Sequence, residues 1–180
     1  MARGQPSLGH TLAECLLSLP QKKTNFFGYL QDELVILRRA QLGRKTCPSA
    51  LAVDSQSVKK TALVSLETGL DANKGIKGRK RHLAVDSFGH PIALCVTAAN
   101  VSDSEAGKVL ADRLESKLQT WSARHSTTNR LTLIRADKGY KKGFIEHVIK
   151  TYDWLVEVSQ KPESTKGFLP QAGRWQVERS

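Results

Sequence analysis

The chain has 180 residues, 39% of them hydrophobic, enough for one domain with a real core and some sequence to spare at its ends. Lys and Arg number 28 against 17 Asp and Glu, and the net charge of +11 points to a polyanionic partner such as nucleic acid or an anionic surface, with a solvated basic surface as the alternative. No apolar run approaches the roughly 20 residues that cross a bilayer, and Cys15, Cys47 and Cys95 lie too far apart for a disulfide framework or a zinc ligand set.

In chain order, the first twenty residues show no clear period. The short apolar stretch Leu12–Leu19 carries Glu14 and lacks a clear cleavage site, so the expectation is a cytoplasmic protein without a signal peptide. Phe26 to Leu42 has helical spacing through Leu30, Leu34 and Leu37, with Gly43 as a stop and Pro48 as a break. The partial helical region 1–45 is too short for a core of its own. Leu51 to Val58 reads as a strand with Asp54 inside it, and 59–79, rich in Gly, Lys and Thr, as a loop. Arg81–Phe88 and Pro91–Ala98 read as a hairpin turning at Gly89 and His90. Ser102 or Asp103 caps a helix running to about Leu118, and Leu131 to Ala136 is a strand ending at Asp137. A helix over Lys141–Tyr152, a strand over Trp154–Val158 and the start of a helix over Arg174–Ser180 follow.

Three strands joined by hairpin-like links, then alternating helices and strands, imply a mixed sheet with helices on its faces. The order matches an α/β, ribonuclease-H-like five-stranded sheet over 46–180, in which the first strand is central and the fourth lies beside it.

Asp54 interrupts an apolar strand, where a carboxylate is costly unless paired or bound to a metal. Asp137 stands at the carboxyl end of the fourth strand, where open α/β sheets bind ligands. Glu178 could add a third carboxylate. Carboxylates without Cys or His suit Mg²⁺ or Mn²⁺, and two such ions about 4 Å apart can serve phosphodiester chemistry. Singly, each residue has a structural reading. Asp54 can end a strand, Asp137 can cap a helix or shape a turn, and Glu178 can pair with Arg174 or Arg179. Asp86, in DSFG, reads as a structural carboxylate on the hairpin rim. The run KGIKGRKRH at 74–82 concentrates positive charge, and Lys59, Lys60, Lys138, Lys141 and Lys142 follow the acidic positions closely.

Together, AVDSQSVKK (52–60), KGRKRHLAVDSFG (77–89), ADKGY (136–140) and RWQVERS (174–180) resemble the DDE transposases of bacterial insertion sequences, and most of all the insertion-sequence-five-like branch. The resemblance covers roughly 45–180. It implies a ribonuclease-H-like catalytic domain in which Asp54, Asp137 and Glu178 form a triad holding Mg²⁺ or Mn²⁺, two ions in all. It also implies phosphate contacts by Lys59, Lys60, Lys74, Lys77, Arg79, Lys80, Arg81, Lys138 and Arg179, a tight turn at Gly139, and a packing or stacking role for Trp175. The reaction implied is cleavage at a transposon end, freeing a 3′-hydroxyl that attacks target DNA, carried out by a homodimer at the bacterial nucleoid.

Against the family pattern, residues 1–44 are short for a helix-turn-helix-like part, and the sequence stops two residues after Glu178. The expectation is therefore a truncated or frameshifted transposase. The alternatives are an inactive remnant that only binds DNA and a ribonuclease-H-like nuclease that cleaves without joining.

Overall fold

The computed structural model describes residues 26–61 and 67–159; the expected terminal helix, with Glu178, Trp175 and Arg179, lies outside them. The described elements are α1 (Phe26–Gln41), β1 (Ala50–Lys59), β2 (Gly69–Asp71), β3 (Ile76–Val85), β4 (Pro91–Ala98), α2 (Asp103–Arg124), β5 (Leu133–Asp137), α3 (Lys142–Tyr152) and β6 (Leu155–Ser159). β3 pairs antiparallel with β1, β2 and β4, whereas β5 runs parallel to β1 and β6. β1 is thus central with β5 beside it, which is the ribonuclease-H-like arrangement.

Side chains alternate across each strand and so sort the sheet into two faces. Leu51, Val53, Ala84, Cys95, Ile134 and Ala136 point to one face and form a core with Leu110, Leu114, Leu118 and Trp121 of α2 and with Phe144 and Val148 of α3. Apolar residues at helical spacing explain why α2 lies flat on that face. Val35 and Ile36 bring α1 into the same core. Lys117–Asp32 and Arg124–Glu33 ion pairs, each 2.6 Å, tie α1 to α2.

Residues 59–79 are not one loop. β1 runs to Lys59, β2 adds a sixth strand, and β3 begins at Ile76, so most of the basic run lies within a strand. Every residue from Gly78 to Val85 has a partner on β1, and this cross-strand pairing outweighs the loop-like Gly and Lys content. At the hairpin, β3 ends at Val85 rather than Phe88, and Asp86 turns inward instead of standing on the rim. Helix α2 continues past Leu118 to Arg124, held by the fully buried Trp121.

Candidate active site

The parallel pairing of β1 with β5 places Val53 opposite Ala136. Asp54 and Asp137 come next on their strands and emerge side by side on strands about 4.8 Å apart. Both are partly buried. The Ser55 N–H donates to Asp54 Oδ1 at 2.7 Å, and the Lys138 N–H donates to Asp137 Oδ1 at 2.8 Å. These two expected carboxylates are brought together. Glu178 lies outside the described residues.

Behind them is a buried polar layer that sequence reasoning missed. Asp137 opens a turn closed by the Tyr140 N–H, which donates to the Asp137 carbonyl at 2.9 Å. The Tyr140 ring packs edge-on against Phe144, and its hydroxyl lies 3.2 Å from His82 Nδ1. His82 Nε2 is 3.3 Å from the Thr97 hydroxyl. Burial, opposed by the nearby Asp103 charge, pulls the His82 pKa down to about 4, so the ring is neutral at pH 7. Burial first, and then the charges of Asp103, Asp54 and Asp137, hold the Tyr140 phenol far above its usual range. The Tyr140 hydroxyl therefore stays neutral at pH 7.

Of the expected phosphate contacts, Lys59, Lys60, Lys74, Lys77, Arg81 and Lys138 are exposed, and Arg79 is half-buried. Arg79 and Arg81 face Val58 and Gln56 across the ladder, on the side of the sheet that carries Asp54. Lys80 is different. It alternates to the core face, is 7% exposed, and its ammonium pairs with Asp103 at 3.1 Å and donates to the Val101 carbonyl at 3.1 Å. Lys80 is an internal counter-ion, and this placement removes it from the surface that phosphates can reach. The signal was the alternation of β3, hidden because both of its faces carry polar residues.

Asp86 is structural. It is fully buried, ion-paired with Arg39 of α1, 3.1 Å from His90 Nδ1, and accepts the N–H groups of Phe88 and His90 at 2.9 and 3.0 Å. Burial pushes its carboxyl up, but these four donors outweigh it and hold the group below the ordinary carboxylate range.

A central β1 with a parallel β5, each presenting an aspartate at the same level, defines a ribonuclease-H-like fold with two neighbouring aspartates. The model of the transposase DDE domain matches residues 45–180, and the chain belongs to that family. No curated protein matches. Among solved structures, the chain is similar to the catalytic domain of Mos1 mariner transposase, with 11% identity and a TM-score of 0.42 over 81% of this chain and 64% of that one. It is also similar to Mos1 transposase in a paired-end complex with the left transposon end, with 11% identity and a TM-score of 0.36 over 87% of this chain and 46% of that one. The chain thus spans about half to two thirds of these relatives.

A divalent cation fits the paired aspartates by donor chemistry. Both offer carboxylate oxygens, and His82 opposite Ser55 alternates to the other face. An all-oxygen set suits Mg²⁺ or Mn²⁺ rather than zinc. Among the described residues no group of three acidic, His or Cys side chains closes on one point.

Proposed function

We propose that this chain is a DNA transposase of the insertion-sequence-five-like branch, cutting and rejoining DNA at the Asp54–Asp137 centre. The observation that carries the reading is the placement of these two aspartates one rung beyond Val53–Ala136, within a chain of the transposase DDE domain family. Asp54 and Asp137 hold Mg²⁺ or Mn²⁺, with Glu178 as the third carboxylate. The bound cation supplies Lewis acidity and charge neutralisation for attack on a phosphodiester.

The chain's own residues bind and orient the substrate. Lys77, Arg79 and Arg81 lie on the Asp54 side of β3 and offer cationic contacts to the phosphates of a strand passing the site. Lys59, Lys60, Lys74 and Lys138 extend this surface, and Arg179 adds to it. Holding the reacting groups together, rather than forming a covalent intermediate, is the protein's main contribution. The partners are element-end DNA, target DNA and a second copy of the chain, at the bacterial nucleoid.

Joining separates this reading from simple nuclease action. Incubated with Mn²⁺, labelled element-end DNA and a target plasmid, the wild-type chain is expected to give strand-transfer products that Asp54→Asn and Asp137→Asn do not. Cleavage without joining would identify a nuclease. Salt-sensitive DNA binding with neither cleavage nor joining would leave a protein that only binds DNA.

A further inference from the structure

The two-aspartate centre does not by itself require the ion pair of Lys80 and Asp103 behind it. Lys80 Nζ is 3.1 Å from Asp103 Oδ1 and 3.9 Å from Asp71 Oδ2. Asp71 accepts the Ser57 hydroxyl and the N–H groups of Asn73 and Lys74, at 3.1 and 3.3 Å. A buried ammonium is expensive, and such arrangements persist when geometry and extra hydrogen bonds compensate. Here the Val101 carbonyl and Asp71 hold the ammonium, which in turn pairs with the carboxylate of Asp103, the first residue of α2.

The Asp103 carboxylate lies beside the turn that carries Asp137. A Cβ on Gly139 would lie 2.5 Å from Asp103 Oδ2. Gly139 is not among the glycines with positive φ, which are Gly43, Gly75 and Gly89. The turn needs glycine here for space beside Asp103, not for left-handed backbone. At its far end, Tyr140 is tethered to His82 at 3.2 Å. The four residues from Asp137 to Tyr140 thus have the Asp103 carboxylate beside Gly139 and His82 bonded at Tyr140.

We propose that Asp103, fixed by Lys80, is a positioning residue for the Asp137 carboxylate. It sets the path of the turn through Gly139 and so sets where Asp137 presents its oxygens; it holds neither metal nor DNA itself. This inference rests on the reading of Asp137 as a metal-holding residue. Groups that orient a metal-binding side chain typically change metal affinity 10- to 100-fold when removed.

The test is a Mn²⁺ titration of the full chain, with bound ion read by electron paramagnetic resonance. Melting curves and DNA binding in EDTA are recorded on the same preparations. Asp103→Ala removes the carboxylate, and Gly139→Ala puts a methyl group where that carboxylate lies, so that carboxylate and turn are forced apart. Both are expected to raise the half-saturating Mn²⁺ concentration by about 10-fold or more, with cooperative melting and unchanged DNA binding in EDTA. Should Asp103→Ala fail to fold, Gly139→Ala decides alone. Wild-type Mn²⁺ affinity in these variants, while Asp54→Asn binds none, would overturn the positioning role and leave the metal site standing. Absence of Mn²⁺ binding by the wild-type chain would overturn both.

Discussion

Asp54 and Asp86 sit in the same pentapeptide, Leu-Ala-Val-Asp-Ser, at 51–55 and 83–87. The two copies face each other on β1 and β3, Val53 opposite Ala84 and Asp54 opposite Leu83. Asp54 remains in its strand, half-buried next to β5. Asp86 leaves its strand and is enclosed by Arg39, Phe88 and His90. Local sequence cannot separate these fates, because the difference is a guanidinium delivered from α1, 47 residues away. Breaking that buried pair leaves an uncompensated charge, so Asp86→Ala is expected to cost about 3–5 kcal/mol in a urea unfolding titration. His82 provides a pH signature. Its folded pKa of about 4 lies below the ordinary 6.5, so the unfolded chain binds the extra proton between those values. Stability is then complete above pH 6.5 and falls as the pH drops toward 4, by an upper figure of about 3 kcal/mol. The ring faces Asp103, Lys80 and Tyr140, and Asp86 loses its own contribution only at lower pH. Melting temperatures of the wild type and His82→Gln across that window check this, the variant being expected to show the shallower fall.

At the scale of elements, the apolar strands were legible and the polar start of β3 was not. β1, β4 and β5 stand out as short apolar runs because their buried residues are Leu, Val, Ile, Ala and Cys. The part of β3 from Arg81 on was legible as a strand, but its start at Ile76–Lys80, which buries Gly78 and Lys80, has the composition of a loop, and only pairing with β1 and β4 reveals it. The start of α2 was legible through its cap, Ser102 Oγ accepting the Glu105 N–H at 3.2 Å. Its end was not, because Trp121 extends the buried stripe beyond Leu118. Ser102→Ala is expected to cost about 1 kcal/mol and Trp121→Ala about 3–5 kcal/mol by chemical denaturation. The two faces of β3 respond differently. Lys80→Ala strips Asp103 of its counter-ion and should lower the melting temperature clearly, whereas Lys77→Ala on the exposed side should leave it nearly unchanged.

At the scale of the molecule, the charge of +11 is compatible with a polyanionic partner but does not say which face of the sheet carries the basic residues. The register supplies that, putting Arg79 and Arg81 on the Asp54 side of β3 and Lys80 on the other. DNA binding is expected to weaken steeply with salt, and Lys77→Ala or Arg81→Ala should each reduce the slope of log K against log salt by about 1 in fluorescence anisotropy titrations. The neighbouring placement of Asp54 and Asp137 was legible from acids in or at the end of apolar strands, whereas the place of Asp103 beside a turn 36 residues later was not. The most direct test of the central claim is Mn²⁺-dependent strand cleavage of element-end DNA by the wild type, Asp54→Asn and Asp137→Asn, compared at equal DNA occupancy. Cleavage by the wild type, lost in both variants while DNA stays bound, is the result this account predicts. Cleavage that persists undiminished in either variant would contradict it.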